Sequence, residues 1–160
     1  VSIKGIFVGI NKQLDPNISE LTGAVRDARA LNALFLDSVP GFGAKLLVDE
    51  DATKDSVSES IFGTLASAMD DDIIVISFAG HGSPDGGIAV YDTLCSDLSG
   101  TTLSMAELGD AFKATRARAV LCILDCCFSG HAPARVLEVP AQPRSAFALE
   151  GVAGAARQTR

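Results

Sequence analysis

Two apolar, β-branched stretches constrain this chain more than any other feature. Residues 73–79 and 119–124 are nearly continuous apolar runs. Such runs suit parallel strands covered on both faces rather than half-wet antiparallel ones. The first ends in Phe78-Ala79-Gly80-His81-Gly82, and the second runs into Asp125-Cys126-Cys127-Phe128-Ser129-Gly130. Each strand therefore delivers a reactive side chain to the carboxyl edge of a sheet, where open α/β folds bind ligands. One edge position receives a histidine and the other a cysteine, the minimal equipment for a thiol nucleophile and its proton-transfer partner.

The rest of the chain alternates strand and helix. Residues 3–10 form an apolar first strand. Leu21, Val25, Ala28, Leu31 and Phe35 predict a helix over 21–36, ended by Pro40-Gly41. A short second strand follows at 45–48. Thr53 is placed to cap a helix over 54–68, with Val57, Ile61 and Leu65 on one face. Gly86-Gly87 leads into a small hairpin arm at 88–91, and Ser104-Met105-Ala106-Glu107 is a capping box for a helix to about residue 115. This alternation predicts an α/β fold: a mostly parallel sheet of four core strands with helices on both faces.

With 160 residues, 48% of them hydrophobic, the chain suits one globular domain with a substantial core. No apolar run reaches the roughly 20 residues that cross a bilayer, and no amino-terminal signal pattern is present. Four cysteines, two of them adjacent, do not make a disulfide framework, so a reducing, cytoplasmic setting is expected. The net charge of −7 argues against nucleic acid as a partner. Residues 1–132 hold 9 basic and 18 acidic side chains, whereas 133–160 hold four arginines against two glutamates.

A cysteine is a useful nucleophile only when its thiolate is accessible and held in place. Cys127 is expected just past its strand, in a turn closed by Ser129-Gly130, where backbone N–H groups can approach a substrate carbonyl and form an oxyanion hole. His81 sits between Gly80 and Gly82, which removes side-chain bulk around it, and the Gly82 N–H is a candidate second oxyanion donor. A histidine titrating near neutrality can protonate a leaving amine. Taken singly, His81 reads as a loop histidine, and Cys126 and Cys127 as core residues. Their joint placement beside glycine at two strand ends is what points to chemistry.

These two segments, in this order and spacing, resemble the catalytic motifs of metacaspases and related caspase-like cysteine peptidases. Residues 5–11 and Gly23-Ala24-Val25-Arg26-Asp27-Ala28 are similar to the start of that domain. The resemblance covers about residues 3–131 and implies a caspase-like three-layer sandwich. It implies His81 as catalytic histidine and Cys127, not Cys126, as nucleophile. Asp125 lies two residues before Cys127, so on an extended segment it shares a side with it, and a carboxylate there suits a cationic P1 side chain. The resemblance makes Asp27 its companion in the S1 pocket; the plainer alternative is a helix-surface carboxylate paired with Arg26 or Arg29. Two carboxylates favour Arg or Lys at P1 and repel Asp. Ala79 stands where similar peptidases often carry Ser before Gly-His-Gly.

The expected activity is thus a cysteine endopeptidase acting on protein or peptide substrates with a basic P1. The expected organisation is a catalytic portion at 1–131 and a linker or tail at 132–160, with a short strand at 135–139. By the resemblance, the strands that complete the substrate cleft lie carboxyl-terminal to the nucleophile. The chain then corresponds to the larger fragment of a self-processed zymogen ending at Arg160, with a smaller fragment of the same precursor as partner. No membrane partner and no resident metal are expected. Similar proteins are often calcium-activated, but Asp70, Asp71, Asp72, Asp85, Asp92 and Asp97 form no EF-hand loop, and clustered aspartates before a strand usually make a solvated turn. Two other classes stand as alternatives: a catalytically idle caspase-like scaffold, and a nucleotide-binding α/β domain. The latter lacks a P-loop, and its glycines do not lead into a helix.

Overall fold

The computed structural model describes residues 2–127, with Cys127 placed by its backbone alone. Four parallel strands form one sheet in the order β2-β1-β3-β4, with β1 at Ile3–Gly9, β2 at Gly43–Val48, β3 at Ile73–His81 and β4 at Ala119–Cys127. The helices are α1 (Ala24–Ser38), α2 (Lys54–Ala66), the one-turn α3 (Leu98–Thr101) and α4 (Met105–Ala114). The expected α/β architecture is present. The tail at 132–160, its expected strand and Arg160 lie outside the described residues.

The strand order explains which helix covers which face. β2 and β3 lie on opposite sides of β1, so crossovers of one hand must place α1 and α2 on opposite faces. The β3–β4 crossover runs in the same direction as β2–β3, so α4 joins α2. Accordingly, Ile6, Val8, Ile74, Ile76 and Phe78 pack with Val57, Ile61, Leu65 and Leu108. The opposite face buries Phe7 and Val75 against Ala28 and Phe42, flanked by Leu31 and Phe35. There the rings of Phe7, Phe35 and Phe42 meet at centroid separations of 5.3–6.1 Å. Gly9 lets α1 come this close: a Cβ on Gly9 would stand 2.6 Å from Ala24 O and from the Ala28 Cβ.

Helix ends follow local chemistry. Thr53 caps α2, its Oγ1 accepting from Ser56 N, and Ser104 caps α4 through Glu107 N. The helix expected from residue 21 begins instead at Ala24. Gly23 supplies no side-chain cap. Asn11 does, its Oδ1 accepting from Val25 N at 3.2 Å, while Leu21 N donates to the Asn11 carbonyl. Residues 21–23 are thereby held as the end of the β1–α1 loop.

Both site-bearing strands run further than the hydrophobic pattern indicates. β3 continues through Gly80 to His81, and β4 continues through Asp125 and Cys126 to Cys127. Cys127 therefore ends a strand rather than standing beyond one, because ladder bonding to β3 persists past the apolar run. β4 is also less buried than expected. Among the described residues it pairs only with β3, and Leu121, on the α1 side, is 49% exposed because α1 lies over β1, β2 and β3.

Candidate active site

The sheet reverses its winding between β1 and β3, and the crevice at this switch is where open α/β sheets bind ligands. His81 ends β3 at this place. In the parallel register its Cα partner on β4 is Cys127, so the two positions stand side by side at the last rung of the ladder. Gly80 pairs with Cys126 and Ala79 with Asp125.

Alternation sorts these residues by face. Val120, Leu124 and Cys126 pack against the α2/α4 core. Asp125 is on the opposite, α1 side and is exposed. His81 shares that side with Val75, three pleats down its strand. Cys122 faces the covered side, and burial pushes its thiol up to about 12, so it stays protonated.

The imidazole is held from the β1–α1 loop, where His81 Nε2 lies 2.7 Å from the Ser19 carbonyl oxygen. A carbonyl only accepts, so this bond puts the proton on Nε2 and leaves Nδ1 as the basic nitrogen. Beside the ring is a cleft of about 280 Å³ whose walls include Ile18, Ser19, Gly82, Ala89, Cys95 and Leu98. The loop's root is fixed by Asp49, which adopts φ of 44° and accepts from Asn11 N and Lys12 N at 2.8 and 3.1 Å. Aspartate is one of the few side chains that tolerate this left-handed backbone.

Gly82 is positioned by the following arm. Ala89 N donates to His81 O and Ser83 N to Gly87 O, which makes Gly82 and Ile88 a non-hydrogen-bonded antiparallel pair. The N–H of Gly82 thus points away from the arm. Ala79 O accepts from Ile10 N on the β1 side, and His81, two residues on, faces its polar groups the same way. The intervening alternation turns the Gly82 N–H toward the β4 side, where Cys127 lies.

The sequence motifs single out His81, Gly82 and Cys127 but not Ser19, Asn11 or Asp49, which the structure places around the His81 ring and the root of its loop. Ser19 acts through its carbonyl, which no residue type reveals. The aspartates near the amino end of β3 have structural partners. Asp70 pairs with Arg116 at 2.9 Å, and Asp72, buried, accepts from Met69 N and Lys4 Nζ at 3.0 and 2.9 Å. Asp92 accepts from Lys54 N at the start of α2, and Asp97 caps α3. Among the described residues no group of three His, Cys, Asp or Glu side chains is arranged to hold a metal. No helix among them is long and apolar enough to cross a membrane. The Gly80-His81-Gly82 segment runs into the arm and does not itself open a helix.

The family model of the caspase domain matches residues 5–157. The chain belongs to the caspase-domain family. Among solved structures, a protein of Geobacter sulfurreducens has a similar fold, with a TM-score of 0.68 and 23% identity over 82% of this chain and 52% of that one. The chain thus spans about half the length of that structure. No curated protein matches it.

Within this caspase domain Asp125 and the seat of α1 are related through the sheet register. α1 is seated over Gly9; Gly9 pairs with Ala79, and Ala79 pairs with Asp125. Two strand spacings, roughly 10 Å, separate the sheet positions beneath α1 from Asp125. Asp27, in the first turn of α1, is half-exposed and meets Arg26 Nε at 3.3 Å. That is the plainer pairing anticipated for it. An exposed neighbour pair of this kind is worth little and is easily exchanged for another cation.

Proposed function

We propose that this caspase domain is a cysteine endopeptidase that cleaves after Arg or Lys, with Cys127 as nucleophile and His81 as acid-base partner. The observation that carries the reading is the register pairing of His81 with Cys127, together with the Ser19 carbonyl that fixes the imidazole. Asp125 and Asp27 hold the cationic P1 side chain by charge-assisted hydrogen bonds. Nδ1 of His81 takes the Cys127 thiol proton, and the resulting thiolate attacks the scissile carbonyl carbon, forming a C–S bond as the carbonyl electrons move to oxygen. The N–H groups of Gly82 and Cys127 stabilise that oxyanion. His81 delivers a proton from Nδ1 to the departing amine as the C–N bond breaks. It then takes a proton from water, whose oxygen displaces the thiolate and releases the acid.

The exposed side of β4 supports a partner for this strand, which we propose is a smaller fragment of the same precursor released by cleavage at Arg160. No metal is proposed as required, calcium is kept as a candidate activator for the assay, and the cytoplasm is proposed as the setting. A positional peptide library, read with and without calcium, tests the activity and its specificity. The expected result is turnover confined to Arg and Lys at P1 and absent in Cys127→Ala. Preference for Asp at P1 refutes the acidic recess. Undiminished turnover in Cys127→Ala refutes the nucleophile, and inactivity under all conditions favours an idle scaffold. Intact-mass analysis of the precursor carrying Cys127→Ala tests self-processing: the variant stays whole if the chain cuts itself, and the same break in the variant refutes it.

A further inference from the structure

We infer that Asp15 is a positioning residue for His81, clamping the loop whose carbonyl orients the imidazole. This rests on the proposed proton-transfer role of His81. Asp15 is 9% exposed, unusual for a carboxylate in a loop. Its Oδ1 accepts from Asn17 N at 2.9 Å and Asn17 Nδ2 at 2.8 Å, and its Oδ2 accepts from Cys95 N at 2.8 Å. Ile18 N closes the turn onto the Asp15 carbonyl at 3.1 Å. Ser19 is the next residue, and its carbonyl takes the proton of His81 Nε2.

The far side of the clamp is itself anchored. Tyr91 N donates to Ala52 O at 2.9 Å, and Asp92 Oδ1 accepts from Lys54 N at 2.7 Å, so the segment leading to Cys95 is tied to the start of α2. The loop is also tied at Leu14, whose N–H meets Tyr91 O, and at Leu21, whose N–H meets Asn11 O. Between these anchors, among the described residues, the hydrogen bonds from residues 15–20 to another segment are Asp15 to Cys95 and Ser19 to His81. The buried carboxylate therefore sets where the Ser19 carbonyl stands relative to β3. The Cys95 N–H, then the Asn17 N–H, hold its carboxyl below the usual range, so it is charged wherever the enzyme would work.

Asparagine cannot replace it. Both sides of the carboxylate receive N–H donors, so an amide nitrogen at position 15 must face one of them and lose that link. The test uses the full chain in a His131→Gln background, which leaves His81 as the sole imidazole for ¹⁵N NMR. The expected wild-type ring carries its neutral-state proton on Nε2, and in Asp15→Asn the Nδ1–H form grows in. Peptide turnover is expected to lose about 10- to 100-fold in kcat with KM little changed, the scale of a catalytic group displaced by about 1 Å. A folded Asp15→Asn chain with the wild-type imidazole spectrum overturns the inference. Should Asp15→Asn not fold, Asn17→Ala, which removes one donor only, is expected to give a smaller shift in the same direction, and an unchanged spectrum there overturns it equally. A tautomer change in a chain that hydrolyses nothing refutes the peptidase reading and upholds the clamp.

Discussion

The seat of α1 on Gly9 is the most sharply testable piece of packing in the fold, and the site depends on it. A Cβ at position 9 would lie 2.6 Å from Ala24 O, 2.6 Å from the Ala28 Cβ and 3.0 Å from Val25 Cα. Two of these are backbone atoms and the third is a methyl fixed to backbone, so no side chain can rotate out of the way. To restore a contact of 3.4 Å, α1 must retreat by about 0.8 Å, the difference between 3.4 and 2.6. Overpacking of this kind costs about 1–3 kcal/mol. For a domain of this size that lowers Tm by roughly 4–11 °C. Gly63 is the control: it lies in α2 with nothing within 4 Å of its would-be Cβ. Gly63→Ala should raise stability by about 0.5–1 kcal/mol through helix propensity and a restricted unfolded chain. Calorimetry of the two single variants then gives shifts of opposite sign. An unchanged or raised Tm in Gly9→Ala refutes the seating of α1 on β1.

Other outcomes follow from the same structure. Asp72 and Asp15 are held below the usual carboxyl range, Asp72 first by the Met69 N–H and then by Lys4, Asp15 by the Cys95 and Asn17 N–H groups. Carboxyls lowered on folding stabilise fully above their unfolded value of about 3.9, and this is lost as pH falls through the folded values. Acid unfolding should therefore set in below about pH 4, with a shallower acid limb in Asp72→Asn; an identical limb contradicts the assignment. Thr53→Ala should cost about 1 kcal/mol in urea unfolding by removing the α2 cap, and no loss speaks against that cap. Peptide mapping after brief alkylation at pH 8 should find Cys122 unmodified in the folded chain, since its thiol is shifted to about 12 and mostly buried, and modified once urea is added.

Most of this fold was legible in the chain because parallel strands covered on both faces leave continuous apolar runs, and each helix carries its own apolar face. Thr53 and Ser104 announced two helix starts through their hydroxyls. The start of α1 was not legible, because its cap, Asn11, lies 14 residues before Val25 and reaches it through the fold. The strand ends at His81 and Cys127 were read short for a related reason. Ladder bonds between neighbouring backbones carry no side-chain signature, and polar or glycine residues can extend a strand whose hydrophobic run has stopped. The proposed pair was visible as two motifs. Its support was not: the Ser19 carbonyl and the Asp15 bonds are contacts across a loop closure that only the folded chain defines.

The proposed chemistry depends on β3 and β4 bringing the His81 imidazole and the Cys127 thiol into partnership at one edge of the sheet. Treating the chain with an arginyl acyloxymethyl ketone and mapping the adduct by mass spectrometry tests this most directly. The expected result is a single adduct on Cys127, kept in Cys126→Ala and lost in His81→Ala. An adduct on Cys126 or Cys95, or undiminished labelling without His81, would contradict it.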